Sequence, residues 1–292
     1  MSVSNRHILR QGPVIASLLR AVASGAFASK GGPPEVPGKE RIAHDAPRAR
    51  DLLDDFIRHV GGNPADWAGE VPPHLFPQWA FPLTSRCLSG LPYPMARVVN
   101  AGCSLRVNGR LPDDEPLVST ARLASLEDDG RKALITTRLT TGTATSPEAI
   151  VAELNAYVPL AKGGGKKGEK KLPPSVPKGA RELTRWRLAP TAGLDFAKLT
   201  GDFNPIHWIP AYAKSAGFKS TILHGFGTFS RAWQGLAEAG ERPPYLQARF
   251  TRPLVLPADV GLFVDDEGGV FVGDHPGGRA YMVGSTRPTP EE

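Results

Sequence analysis

A chain of 292 residues is long enough for one large or two medium domains, and its 40% apolar and 22% charged residues exclude a wholly disordered polymer. No run of eighteen apolar residues occurs, so a membrane-spanning helix is not expected. Two cysteines, Cys87 and Cys103, are too few for a disulfide framework or a zinc finger, and a reducing, cytoplasmic setting fits them best.

Residues 1–44 read as a basic leader: Arg6, Arg10, Arg20 and Lys30 precede the first acid, Glu35, and Val14, Ile15, Leu18, Leu19 and Val22 make an apolar stripe. A targeting segment or a peripheral membrane helix has this composition, and so does a helix packed on its own domain. Arg20 interrupts any secretory apolar region, which favours the packed helix. Residues 45–160 form the first half. There "FPQWAFPLTSRCLSGL" is followed by extended runs, two of them joined at the turn Asp128–Asp129–Gly130. In "EAIVAELNAYVPL" the residues Ile150, Val151, Leu154, Tyr157 and Val158 recur at helical spacing, yet the segment lies where a last strand would fall.

Residues 161–183 are rich in lysine, glycine and proline and read as a linker. Its charge supplies much of the net +6, but the run has no aromatic residue on which a base could stack, so nucleic acid is not an expected partner. No G-x-x-x-x-G-K-[ST] phosphate loop can be laid on its glycines. In the second half, 184–292, Phe226, Phe229, Trp233 and Leu236 recur at helical spacing, Gly240 closes the run, and short β-prone segments follow. Each half therefore reads as one helix followed by mostly antiparallel strands, an α+β pattern given twice.

The segment "LTGDFNPIHWIPAYAKSAGFKSTILHGFG" carries the chemistry. Asp202, Asn204, Pro205 and His207 fit D-x-N-P-x-H, and Ile222, His224 and Gly225 fit a trailing I-x-H-G. This pattern resembles the MaoC-like dehydratases, the hot-dog-fold (R)-specific enoyl-CoA hydratases and 3-hydroxyacyl-thioester dehydratases. The resemblance implies a double hot dog, two repeats each with an antiparallel sheet wrapped around a central helix. The first repeat lacks the signature and is expected to shape the acyl tunnel, and the resemblance favours a strand over a helix for "EAIVAELNAYVPL". It further implies a cofactor-free hydro-lyase of fatty acid metabolism, with Asp202, His207 and the backbone N–H of Gly225 catalytic, and a thioester of coenzyme A or acyl carrier protein as substrate. Further homodimerisation is left open, and a hot-dog protein that binds acyl thioesters without turnover is the alternative.

The residues support that reading on their own chemistry. Dehydrating a 3-hydroxyacyl thioester moves a proton at C2 and a water at C3, and an Asp/His pair aimed by an Asn–Pro turn supplies groups of different proton affinity. A glycine at a helix start lets a thioester carbonyl approach free N–H groups. Asn204 and His224 are expected to support the loop rather than react. Lys214, Lys219 and Arg231 flank the motif as candidate phosphate contacts. Asp202, His207 and His224 do not show a recognised metal-ligand spacing, so no metal is expected. There is no G-x-S-x-G element for serine hydrolase chemistry.

Overall fold

The computed structural model describes residues 3–25, 34–93, 98–160 and 173–288. Residues 26–33 of the expected leader and 161–172 of the expected linker lie outside the described residues. After a 3-10 helix at Asn5–Arg10 and α1 (Gly12–Gly25), the first half runs β1 (Arg41–Asp45), α2 (Arg50–Val60), α3 (Pro77–Leu88), β2 (Val99–Val107), β3 (Leu117–Asp128), β4 (Lys132–Gly142) and β5 (Ile150–Pro159). The second runs β6 (Arg181–Leu188), α4 (Ala192–Thr200), α5 (Pro210–Ser215), α6 (Gly225–Glu238), β7 (Tyr245–Phe250), β8 (Ala258–Val264), β9 (Gly269–Gly273) and β10 (Ala280–Ser285).

All strands belong to one antiparallel sheet, ordered β1-β3-β4-β5-β2-β7-β10-β9-β8-β6. Counted within its own half, each set of five follows the same order from the edge inward: first, third, fourth, fifth, second. The halves are thus one topology used twice, joined where their second strands meet. At this seam Gly102 faces Arg249, Cys103 faces Ala248 and Leu105 faces Leu246. Arg106 lies with its guanidinium 4.9 Å from the Tyr245 ring centre, closing the end of the seam.

The turn at Asp128–Asp129–Gly130 forms as its residues dictate. Gly130 takes φ +75°, and the two carboxylates accept the N–H groups of Gly130, Arg131 and Lys132 at 2.8–2.9 Å. Residues 150–159 are a strand despite their helical spacing, because β5 is paired on both sides, with β4 and β2. Ladder bonding on two edges outweighs local periodicity.

Both halves begin with a strand rather than a helix. The expected boundary at 44/45 falls inside β1, and β6 starts at Arg181, within the stretch assigned to the linker. Ser175 already bridges Arg279, and Val176 is fully buried. These two strands escaped detection because they are the sheet's outer edges, where charged residues are tolerated and the apolar alternation is weak.

The main core lies between the sheet and the helices. On α6 every residue from Phe226 to Leu236 is buried. Phe76, at the start of α3, meets Phe226 and Phe229 edge-on at 5.7 and 6.2 Å, so the two central helices share one aromatic core. The leader packs on this body: His7, Gln11 and Val14 are buried, while Leu9 and Leu19 face solvent. Among the described residues no helix is long and apolar enough to cross a membrane.

Gly102 is the tightest point of the seam. A Cβ there would lie 2.2 Å from the Ala248 carbonyl oxygen. Gly102→Ala is expected to destabilise the protein by about 1–3 kcal/mol, read from the urea midpoint, whereas Gly179→Ala, where a Cβ meets nothing, is expected to be neutral.

Candidate active site

The site forms where α4 stops. Gly201 ends the helix at φ +83°, its N–H bonded to the Ala197 carbonyl at 2.7 Å, and the chain leaves directly into Asp202. Two local turns follow. The Asp202 carboxylate accepts the Asn204 N–H, and the Asn204 side chain accepts the Ile206 N–H, both at 3.3 Å. Pro205 then opens a single 3-10 turn, Pro205–His207, which swings His207 inward. Asn204 is exposed and acts through this turn.

His207 is 8% exposed. Its Nδ1 lies 2.8 Å from the Ile222 carbonyl, which only accepts, so Nδ1 carries the proton and Nε2 keeps the basic lone pair. His224 is 2% exposed and stacks on His207, ring centres 3.5 Å apart and planes at 22°. Its Nε2–H donates to the Asp202 carbonyl at 2.9 Å, and Phe196 covers it from behind at 4.9 Å. One atom from each of Asp202, His207 and His224 lies within 4.8 Å of the others. Nε2 of His224 is held by the Asp202 carbonyl, and its buried Nδ1 has no partner.

Burial sets the proton affinities. It raises the Asp202 carboxyl above its ordinary value of 3.8, with the nearby His207 acting in the opposite direction. It lowers His207 from 6.5, and holds His224 well below that value. The two imidazoles are therefore neutral at neutral pH, and burial makes Asp202 a weaker acid than a solvent-exposed carboxyl.

Gly225 is the first residue of α6, and no side chain caps the helix. The Thr228 N–H closes the first turn on the His224 carbonyl, so the preceding N–H groups have no intrahelical partner. The glycine has a packing reason as well: a Cβ there would lie 2.6 Å from the Phe250 ring. Another glycine that sequence reading missed is Gly193 on α4, where a Cβ would strike the His207 carbonyl oxygen at 2.1 Å. Its absent side chain lets the His207 turn sit against α4, a contact with no local sequence signal.

The flanking cations divide. Lys214 and Lys219 are exposed near the loop. Arg231 is not a surface cation. It is 8% exposed, its guanidinium meets the ring of His59 at 3.3 Å, and its Nε has no partner. Burial lowers it to about 10. A position judged by residue type looked cationic and outward, but it lies on the covered side of α6.

The family model for the MaoC like domain matches residues 175–269. Enoyl-CoA hydratase ChsH3 of Mycobacterium tuberculosis is 28% identical over 154 residues, covering 51% of this chain and 52% of the relative. The 3-hydroxyacyl-thioester dehydratase X of the same organism is 34% identical over 103 residues, covering 35% and 37%. The chain thus spans about half or less of the length of these relatives. The crystal structure of HtdX from that organism superposes with a TM-score of 0.67 at 20% identity, over 85% of this chain and 98% of that one. The chain has the double hot-dog fold. Its MaoC-like domain is residues 175–269, which contain the whole Asp202–Gly225 constellation.

A buried guanidinium without a carboxylate is costly to keep. Arg231→Met is expected to leave the denaturation midpoint unchanged or raised, and to leave the KM for an acyl-CoA unchanged. A rise in KM would return Arg231 to the substrate contacts.

Proposed function

We propose that the protein is a hydro-lyase that interconverts 3-hydroxyacyl and trans-2-enoyl thioesters, of the (R)-specific kind, carried on coenzyme A or acyl carrier protein. The observation that carries this reading is the meeting of one carboxylate and one Nδ1-protonated imidazole within 4.8 Å, beside the open N-terminus of a buried helix. The names of the relatives support the same chemistry.

In the hydration direction a water sits between Asp202 and the Nε2 of His207. The pair takes its proton as the oxygen attacks C3, the electron pair moves to the thioester oxygen, and the pair returns the proton to C2. One water is added across the double bond, and nothing is oxidised or reduced. The enolate oxygen is met by the N–H of Gly225 and by the positive end of the α6 dipole. A lost oxyanion donor typically costs roughly 3–4 kcal/mol of transition-state stabilisation. His224 holds the Asp202 carbonyl and backs the His207 ring. Lys214 and Lys219 stand near enough along the chain to meet the carrier's phosphates.

The test is the loss of enoyl-CoA absorbance across a chain-length series. Asp202→Asn and His207→Ala are each expected to lower kcat by about 100- to 10,000-fold with the fold retained by circular dichroism. If the wild type binds acyl thioesters and turns none over, the protein is a binding module instead.

Both bases must be unprotonated for hydration, so activity falls as pH falls. Burial moves the carboxyl up from 3.8 and the imidazole down from 6.5, so the acid limb of kcat/KM is expected above the ordinary carboxyl value of 3.8. A limb centred at or below 3.8 would contradict this assignment.

A further inference from the structure

The leader reaches the site from outside the MaoC-like domain. Gln11 is fully buried, and its amide nitrogen donates to the Lys198 and Leu199 carbonyls at 3.1 and 2.9 Å. These are among the last carbonyls of α4, which no helical N–H can satisfy. With the Gly201 N–H on the Ala197 carbonyl, a side chain 187 positions earlier completes the closure of the helix that delivers Asp202. The Gln11 carbonyl oxygen is held in turn by the Gln78 amide of α3 at 3.2 Å.

Adjacent residues make the contact a strap rather than a point. Val14 is 2% exposed and packs on Gly201, where a Cβ would lie 2.6 Å from the valine Cβ. At the other end the Val3 N–H donates to Asp195 at 3.3 Å, and the Lys198 ammonium donates to the Val3 carbonyl at 3.0 Å. Between them His7 donates through Nε2 to Asp55 at 2.8 Å, with Arg10 donating to its Nδ1 at 3.1 Å and to Asp51 at 2.8 Å. The leader therefore ties α2 and α3 of the first repeat to α4 of the second.

We propose that residues 3–17 are a positioning strap for the reaction, with Gln11 as the positioning residue that fixes the Gly201–Asp202 exit from α4 and so the aim of the Asp202 carboxylate. Gln11 touches no reacting atom and acts through Gly201. The kinetic part of the proposal rests on the hydro-lyase reading above. Its structural part does not.

The experiment replaces Gln11 with methionine, which keeps the length and removes both donors. Amide exchange over 199–208 is expected to speed up. The kcat for enoyl-CoA hydration is expected to fall by about tenfold or more, since a displacement of about 1 Å can cost about 100-fold, while KM stays within about twofold. The acid limb should also move, because an Asp202 less tightly enclosed returns toward its ordinary affinity, a change that simple loss of stability does not produce. Arg10→Ala, which removes one tie to α2 but leaves His7 on Asp55 and the α4 contacts, is the control expected to match wild type.

Wild-type exchange, kcat and pH limb in Gln11→Met, with only a lower melting temperature, would overturn the proposal. If that variant does not fold, Val14→Ala opens space beside Gly201 and decides the matter by the same readouts. If the wild type hydrates no enoyl thioester, the functional reading fails, and exchange over 199–208 still tests the strap.

Discussion

A helix buried on every side is the constraint from which this architecture follows. From Phe226 to Leu236 no residue of α6 faces solvent, so a single sheet cannot satisfy it. The second half's strands cover one side: Gly235 is small because Leu262 and Trp186 crowd it. The first half covers the rest, with Phe76 against Phe226 and Phe229, and the residues after α2 against Gln234, whose side chain would overlap a Cβ at Gly62. The first repeat is thus the other wall of the core that holds the site, although it lacks the D-x-N-P-x-H signature. Joining the sheets through β2 and β7 makes the two walls one body.

That enclosure also sets the chemistry. The groups that meet at the start of α6 are held by carbonyls, Ile222 for His207 and Asp202 for His224, so both tautomers are fixed by backbone geometry. Low exposure then moves the Asp202 and His207 affinities toward each other. The same burial is a cost wherever no partner is supplied, as with the Nε of Arg231 and the Nδ1 of His224.

What the sequence made legible follows from how far each contact reaches along the chain. The Asp202–His207 turn is written in six consecutive residues, each with a local rule, and could be read directly. So could α6, from its apolar period and its first glycine. β5 could not, because its partners lie in β2 and β4 and only pairing overrides its helical spacing. β1 and β6 gave no signal as charged edges. Arg231 read as an outward cation, but long-range packing buries it against His59, and Gln11 carried no mark at all, its partners being 187 and 188 positions away.

The first repeat preserves more of the site's scaffold than its motif search suggests. After α2, Gly61 ends the helix at φ +100°, the Asn63 side chain accepts the Ala65 N–H at 3.2 Å, and Pro64 opens a 3-10 helix ending at Trp67. This is the course of Gly201, Asn204, Pro205 and Trp208 over again, with one residue fewer between the glycine and the asparagine. The missing residue removes the acid at the position of Asp202, and Asp66 stands one place before the tryptophan, where the second repeat has His207. Further on, His74-Leu75-Phe76 parallels His224-Gly225-Phe226, and the two phenylalanines touch. Leu75 fills with a fully buried side chain the place at which Gly225 leaves an N–H open. His74, enclosed and without partners for either nitrogen, is pushed down to about 3 and is a neutral imidazole at neutral pH. Arg242 lies with its guanidinium 4.5 Å from the Trp67 ring centre and donates to the Asp66 carbonyl. Backbone turns survive in both repeats because both must bring a chain from one helix end to the start of the next. Acid, imidazole and open N–H survive together only in the second, where the shared core is spent on holding them.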